Sequence, residues 1–139
     1  MKKEVIKVDT NISAPVEKVW KFYNEPQHIT QWNYASEDWH CPSAENDFRV
    51  GGKLKTRMET KDNSSGFDFE ARYLEIVPHQ KIVYILEEEN RKVSIGFRQI
   101  KDKTYISITF EGESTYPIED QRQGWQAILK NFKRYAERN

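Results

Sequence analysis

Between residues 119 and 139 the large apolar side chains are Trp125, Ile128, Leu129, Phe132 and Tyr135, followed by Ala136. Counted from Trp125 they fall at +3, +4, +7, +10 and +11, one face of a 3.6-residue helix. The opposite face carries Gln126, Lys130, Lys133, Arg134 and Glu137. The pattern predicts a long C-terminal helix, wet on one side, whose apolar side needs a partner. Glu119 and Asp120 at its start and the Lys and Arg residues toward its end suit the helix dipole.

The rest of the chain supplies that partner. Residues 3–11 alternate Val and Ile with charged residues, a strand pattern. The period then changes: Val16, Val19, Trp20 and Tyr23 follow helical spacing, with Pro15 in a first-turn position and Ser13 as the expected cap. Pro26 ends that helix and opens a second short one containing Ile29 and Trp32. From 37 to 113 the pattern is β. Two extended pieces flank Gly51-Gly52, and Leu54, Thr56 and Met58 alternate with Lys55, Arg57 and Glu59. Phe67, Phe69, Ala71 and Tyr73 alternate with Asp68, Glu70 and Arg72, and the later switch to Leu74 and Ile76 predicts a bulge. "KIVYIL" is apolar on both faces, as in a central strand, and two more strands meet at a tight turn at Asp102.

The order is β-α-α-β6-α, an α+β chain in one domain, 1–139. Short links make the roughly seven strands antiparallel. One long amphipathic helix is left to cover their apolar face, so the sheet is expected to curl around it.

Composition narrows the function classes. Twenty-two Lys and Arg against 22 Asp and Glu give no net charge, which removes the footprint of a general nucleic-acid binder. Cys41 is the single cysteine, so no intramolecular disulfide forms. No segment reads as a signal peptide or a membrane span, and the expected location is cytoplasmic. At 139 residues a chain buries roughly two-thirds of its unfolded surface and needs no staple.

Candidate chemistry is sparse. His28, His40 and His79 show no metal-ligand spacing, so neither a metal nor a cofactor is expected. His40–Cys41 is the one pairing with nucleophilic potential, weighed against a simple buried thiol. Gly51-Gly52 reads as a strand corner and not a phosphate cradle, and Gly96 inside a strand marks a bulge or a close approach by a ring. The run 87–89, three glutamates, reads as a solvated loop. Glu70 is expected outside; in the reverse register it would lie inside near Arg57 or Arg98. Aromatics make up 13% of the chain, and Trp32, Trp39, Phe48, Phe67, Phe69, Tyr84, Phe97 and Trp125 should converge under the sheet. They read equally as a filled core or as the walls of a cavity.

Several stretches carry a resemblance. "APVEKVWKFYNEPQHITQW", "FRVGGKLKTRM", "EIVPHQKIVY" and "GWQAILKNFKRYAE" resemble, in order, the opening helices, glycine corner, hairpin and terminal helix of the Bet v 1-like, START-related superfamily. The subgroup most resembled is that of bacterial proteins named for homology to the C-terminal domain of the activator of Hsp90 ATPase. The resemblance implies a helix-grip fold, with a curved sheet wrapped around a long helix across a cavity. Members of the superfamily bind lipids or hormones, cyclise polyketides or sequester toxins.

The expected function is therefore binding of an apolar or aromatic small molecule between sheet and helix. Trp125 and Leu129 would contribute from the helix, Trp32 and Trp39 from the mouth, and Phe48, Met58, Phe67, Phe69, Tyr84 and Phe97 from the walls. His40 or Arg57 would orient the ligand. Two alternatives stand beside it. One is a protein-interaction module, chaperone-linked or homodimeric, with a broad apolar patch. The other is a cyclase or dehydratase using His40 or Glu70 as its acid–base group.

Overall fold

The computed structural model describes residues 4–139. The elements are β1 (Val5–Ile12), α1 (Val16–Asn24), α2 (Pro26–Trp32), β2 (Trp39–Asn46), β3 (Lys53–Thr60), β4 (Gly66–Val77), β5 (Lys81–Leu86), β6 (Arg91–Ile100), β7 (Lys103–Glu111) and α3 (Ile118–Arg138). The first strand was expected from residue 3, which lies outside the described residues.

All seven strands form one antiparallel sheet in the order β1-β7-β6-β5-β4-β3-β2. Only β1 leaves chain order, pairing with β7 on the far side. β5 is the middle strand, which is why both of its faces are apolar. Its Ile82, Tyr84 and Leu86 point to the concave side, where they meet Ile95, Val93 and Arg91 across the β5–β6 ladder. The parity switch in β4 is a register shift between Tyr73 and Glu75. The extra residue, Leu74, is pushed out to solvent, and Tyr73 and Ile76 share the inner face despite their odd spacing.

Two sequence expectations change at this level. Ser13 does not cap α1: its backbone N–H donates to Glu137 Oε2 (2.8 Å), and the Val16 N–H is satisfied by Gln99 Oε1 at 2.7 Å. A distant strand end thus satisfies the first donor of the helix, a role the sequence reading gave to Ser13. Gly96 sits on the outer face in unbroken register with Lys81 and Ser107, so it marks neither a bulge nor a ring contact. The Gly51-Gly52 corner is as expected. Gly51 has φ +86°, and a Cβ on Gly52 would lie 2.1 Å from the Asp47 carbonyl oxygen.

The helices cover the sheet unevenly. α3 lies mainly along β1 at one edge, α2 packs on β2 at the other, and α1 touches β6 and β7. The helices meet one another at one end of the concave face. Among the described residues no helix packs closely on β3, β4 or β5. That gap positions the site.

Candidate functional site

A cavity of about 1120 Å³, open to solvent at its rim, occupies the gap, bordered by the inner faces of β3–β5 and by α3. It is slightly larger than the usual ligand pocket of roughly 300–1,000 Å³. Thr56, Met58, Phe69 and Ala71 form its wall from β3 and β4, Tyr73, Ile82, Tyr84 and Leu86 its floor, and Trp125, Ile128 and Leu129 its side from α3. These positions face inward because they share one strand parity: Met58 is opposite Phe67, Thr56 opposite Phe69, Leu54 opposite Ala71.

Of the twelve residues singled out from sequence, seven line this cavity: Trp32, Met58, Phe67, Phe69, Tyr84, Trp125 and Leu129. Trp125 lies flat against Phe110, with centroids 4.1 Å apart and planes at 15°, so its ring orientation is set by the sheet. Trp39 stands just outside the lining, its ring 5.9 Å from Phe67, which is half exposed at the lip.

Phe48 and Phe97 belong elsewhere. Phe97 packs at 5.0 Å on Trp20 and 5.7 Å on Tyr23, and Phe48 at 5.6 Å on Trp20 and 5.2 Å on Tyr73. Phe132 closes the same cluster, 5.1 Å from Tyr23 and 4.8 Å from Trp32. This is a filled plug at the helix end of the concave face.

His40 and Arg57 lie on the convex face. Strand pairing places His40 opposite Glu59, and Arg57 opposite Asp68. There Arg57 Nε donates to Glu59 Oε2 (2.9 Å) and Arg57 Nη1 to Asp68 Oδ1 (3.4 Å), while His40 Nε2 is 3.8 Å from Glu59 Oε1. Glu70 is also outside, 3.8 Å from Lys55. Of the two acid–base candidates considered for a cyclase, His40 does not border the cavity, and Glu70 borders it only where it opens, beside Lys55. Cys41 is buried; burial pushes its thiol pKa up despite hydrogen bonds with Asn33 and Ser43, the state of an unreactive thiol. Among the described residues no group of three or more His, Cys, Asp or Glu side chains could hold a metal ion.

Sequence reasoning missed the rim opposite the plug. Glu87, Glu88 and Glu89, read as a solvated loop, border the cavity together with Arg91, Glu113, Tyr116 and Gln121. Arg91 is 8% exposed. Its Nε and Nη2 donate to Glu89 Oε2 (3.2 and 2.7 Å), its Nη1 donates to the Glu111 carbonyl (2.9 Å), and Nη2 lies 3.7 Å from Glu113 Oε2. Gln121 ties down the facing loop: its Nε2 donates to the Glu113 and Tyr116 carbonyls, and its Oε1 accepts from the Glu113 N–H. A signal for Arg91 existed. Val93, Ile95 and Phe97 face inward, and the same parity carried back two residues puts Arg91 inside.

Three further polar groups meet the cavity: Tyr23, Tyr73 and Tyr84. Burial pushes all three phenols well above their ordinary pKa, and for Tyr23 and Tyr84 the neighbouring tyrosines add to the rise. The Tyr73 hydroxyl donates to Asn46 Oδ1 (2.8 Å), and Asn46 Nδ2 donates to the Asn24 carbonyl (2.7 Å).

Comparison with known proteins supports the fold at every level. Among solved structures, an AHSA1-like protein from Aeromonas hydrophila superposes with TM-score 0.91 at 34% identity, over 97% of this chain and 93% of that one. A protein from Cytophaga hutchinsonii is 45% identical, with TM-score 0.82 over 96% of this chain and 92% of its own. One from Chromobacterium violaceum is 28% identical with TM-score 0.86, over 96% and 98%. No curated protein matches the chain. No helix among the described residues is long and apolar enough to cross a membrane. The family model described as "Activator of Hsp90 ATPase homolog 1-like protein" matches residues 13–137, and with that span and these relatives the chain belongs to the AHSA1-like family, within the Bet v 1-like helix-grip fold.

Proposed function

We propose that this protein binds an apolar small molecule in the cavity between the concave face of the sheet and α3. The observation that carries the reading is the cavity itself: about 1120 Å³ bounded by β3–β5 and α3, beside an aromatic cluster that is packed shut. Core side chains normally fill space to crystal-like density, so a void of this size beside a closed core supports a binding chamber. Met58, Phe69, Leu129 and Trp125 supply apolar contact, with Trp32 at the plug boundary and Phe67 at the lip, Trp39 beside it. Hydrophobic burial, about 25 cal/mol per Å² of apolar surface, provides the affinity.

The interaction-module alternative expects a broad apolar patch. The exposed large apolar side chains Val5, Val50, Leu74 and Ile100 lie on separate segments, and Phe67 and Tyr116 belong to the cavity rim.

The test is a thermal-shift screen of the purified protein against neutral polycyclic, sterol, polyketide and fatty-acid compounds. Saturation at 100 times Kd adds about 2.7 kcal/mol to stability and raises Tm visibly. A hit whose binding quenches Trp125, with the quenching lost in Trp125→Phe, supports the chamber; no shift with any class argues for a closed core.

A further inference from the structure

The chamber is apolar along its walls and acidic where it opens. Among the described residues six carboxylate side chains border it, four of them Glu87, Glu88, Glu89 and Glu113, against two cations, Lys53 and Arg91. The whole chain balances 22 Lys and Arg against 22 Asp and Glu, so the excess is local to this mouth. The neighbouring cations do not cancel it. Arg72 Nε donates to Glu87 Oε1 at 2.7 Å and accounts for that charge. Arg91, nine-tenths buried, stands between two carboxylates: its Nη2 donates to Glu89 at 2.7 Å and lies 3.7 Å from Glu113. Glu113 thus has only a share of a cation that is already engaged, and Glu88 enters no ion pair among the described residues. The rim keeps two surplus negative charges, one from Glu88 and one shared by Glu89 and Glu113. The Glu113 side chain is only 24% exposed, so its charge is weakly screened on the side facing the cavity.

Resting on the binding function proposed above, we propose that the occupant is a cationic amphiphile, with an apolar body in the chamber and a protonated amine at the rim beside Glu88 and Glu113. The apolar walls and the acidic mouth set its orientation together: the body gains from leaving water, while the head stays where the cavity is open. At the rim an ammonium keeps part of its hydration, so it meets surplus negative charge without the full cost of burial. Tyr116 borders the same rim with 62% of its surface exposed, and aromatic rings favour a neighbouring cation. Gln121 fixes the backbone that carries both Glu113 and Tyr116, donating to their carbonyls at 2.9 and 2.8 Å. A ligand carboxylate would sit among like charges, since the guanidinium of Arg91 is already bound to Glu89. On this reading amphiphilic amines are favoured and free fatty acids are disfavoured.

The test uses three fluorescent probes with one apolar body, 1-pyrenemethylamine, 1-pyrenemethanol and 1-pyrenecarboxylate, which at neutral pH are cationic, neutral and anionic. Fluorescence anisotropy during titration with the wild-type protein gives the affinity of each. The amine should bind at least about tenfold tighter than the carboxylate, with the alcohol between them. That ratio should shrink toward one in 1 M salt, where the screening length is about 3 Å. The double variant Glu88→Gln, Glu113→Gln should also bring it near one. Glu88→Gln alone, which breaks no ion pair among the described residues, should lower it at least about twofold. Glu17→Gln removes the same charge from an exposed position on α1 that does not border the cavity, and should leave the ratio as it was. Equal binding of the three probes, or tightest binding of the carboxylate, would overturn the cationic head while the chamber stands. So would a ratio that neither rim variant moves, or that Glu17→Gln moves as far as Glu88→Gln does. If none of the three probes binds, the chamber itself is wrong and the cationic head falls with it.

Discussion

The two ends of the concave face use the same residue types to opposite effect. At the end closed by α1 and α2, Trp20, Tyr23, Trp32, Phe48, Phe97 and Phe132 interlock in edge-to-face, tilted and stacked pairs with centroids 4.8–5.7 Å apart. At the other end Phe67, Phe69, Tyr84 and Trp125 are no less aromatic, yet they surround about 1120 Å³ of space. The difference lies in what faces them. Two short helices and the C-terminal half of α3 drop side chains into the first end. Over β3–β5 no helix comes down, because α3 is held along β1 and α2 along β2. Aromatic content therefore does not decide between plug and chamber; the seating of the helices does.

The largest expected effect is at the plug. Phe132→Ala should cost about 3–5 kcal/mol, measured as a fall in the urea midpoint, because Phe132 is fully buried and its neighbours are locked by rings on several sides. A loss near 1 kcal/mol would mean that this end is as loose as the other and would erase the contrast.

Next comes the rim. Arg91→Met should destabilise by about 1–2 kcal/mol, since it leaves Glu113 and the Glu111 carbonyl without their partner. The figure is set low because the Glu89 carboxylate is about half in water. Chemical unfolding again provides the readout, and a stabilised variant would show that Arg91 does not hold the rim.

The chamber wall should behave differently. Phe69→Ala is expected to cost at most about 1 kcal/mol of stability, because the ring already borders open space and its removal creates little new void. The same change should weaken binding of N-phenyl-1-naphthylamine, a neutral dye that fluoresces in apolar cavities, about tenfold. Equal stability losses for Phe69→Ala and Phe132→Ala would break the comparison outright.

The smallest effect concerns the β3–β4 turn that carries Phe67 at the lip. Hydrogen bonds from the Ser64 hydroxyl and backbone N–H, and the nearby Thr60 hydroxyl, lower Asp62 from 3.8 to about 2. A depressed carboxylate stabilises the fold above its unfolded pKa and loses that contribution as pH falls through the folded value. The turn should thus keep its order down to about pH 4 and loosen toward pH 2. An NMR titration of the Asp62 carboxyl checks this; a midpoint near 3.8 would mean the turn is not held.

Much of this architecture was legible in the chain. The 3.6-residue stripe of α3, the two-faced apolar run of β5 and the parity break after Tyr73 each follow from local periodicity. Local signals could not show where α3 would be seated, and that alone separates Phe97 in the plug from Phe69 in the wall. The orienting roles considered for His40 and Arg57 met a register that was partly readable. With Leu54, Thr56 and Met58 inside, Arg57 has to face out, and His40 follows it through its pairing with Glu59. Arg91 and the glutamate loop escaped notice because charge reads as exposure until strand parity is carried to the strand's first residue. The Val16 cap was illegible for another reason: its partner Gln99 is 83 residues away.

The most direct test of the chamber is a fluorescence titration of the wild-type protein and Ala71→Phe with N-phenyl-1-naphthylamine. Ala71 is buried on β4 with its side chain at the cavity wall, so a phenyl ring there grows into the open space. Saturable binding in the wild type, abolished in an Ala71→Phe variant that keeps its fold, is the result expected of a ligand chamber. No saturable binding in the wild type, or equal binding in both proteins, would contradict it.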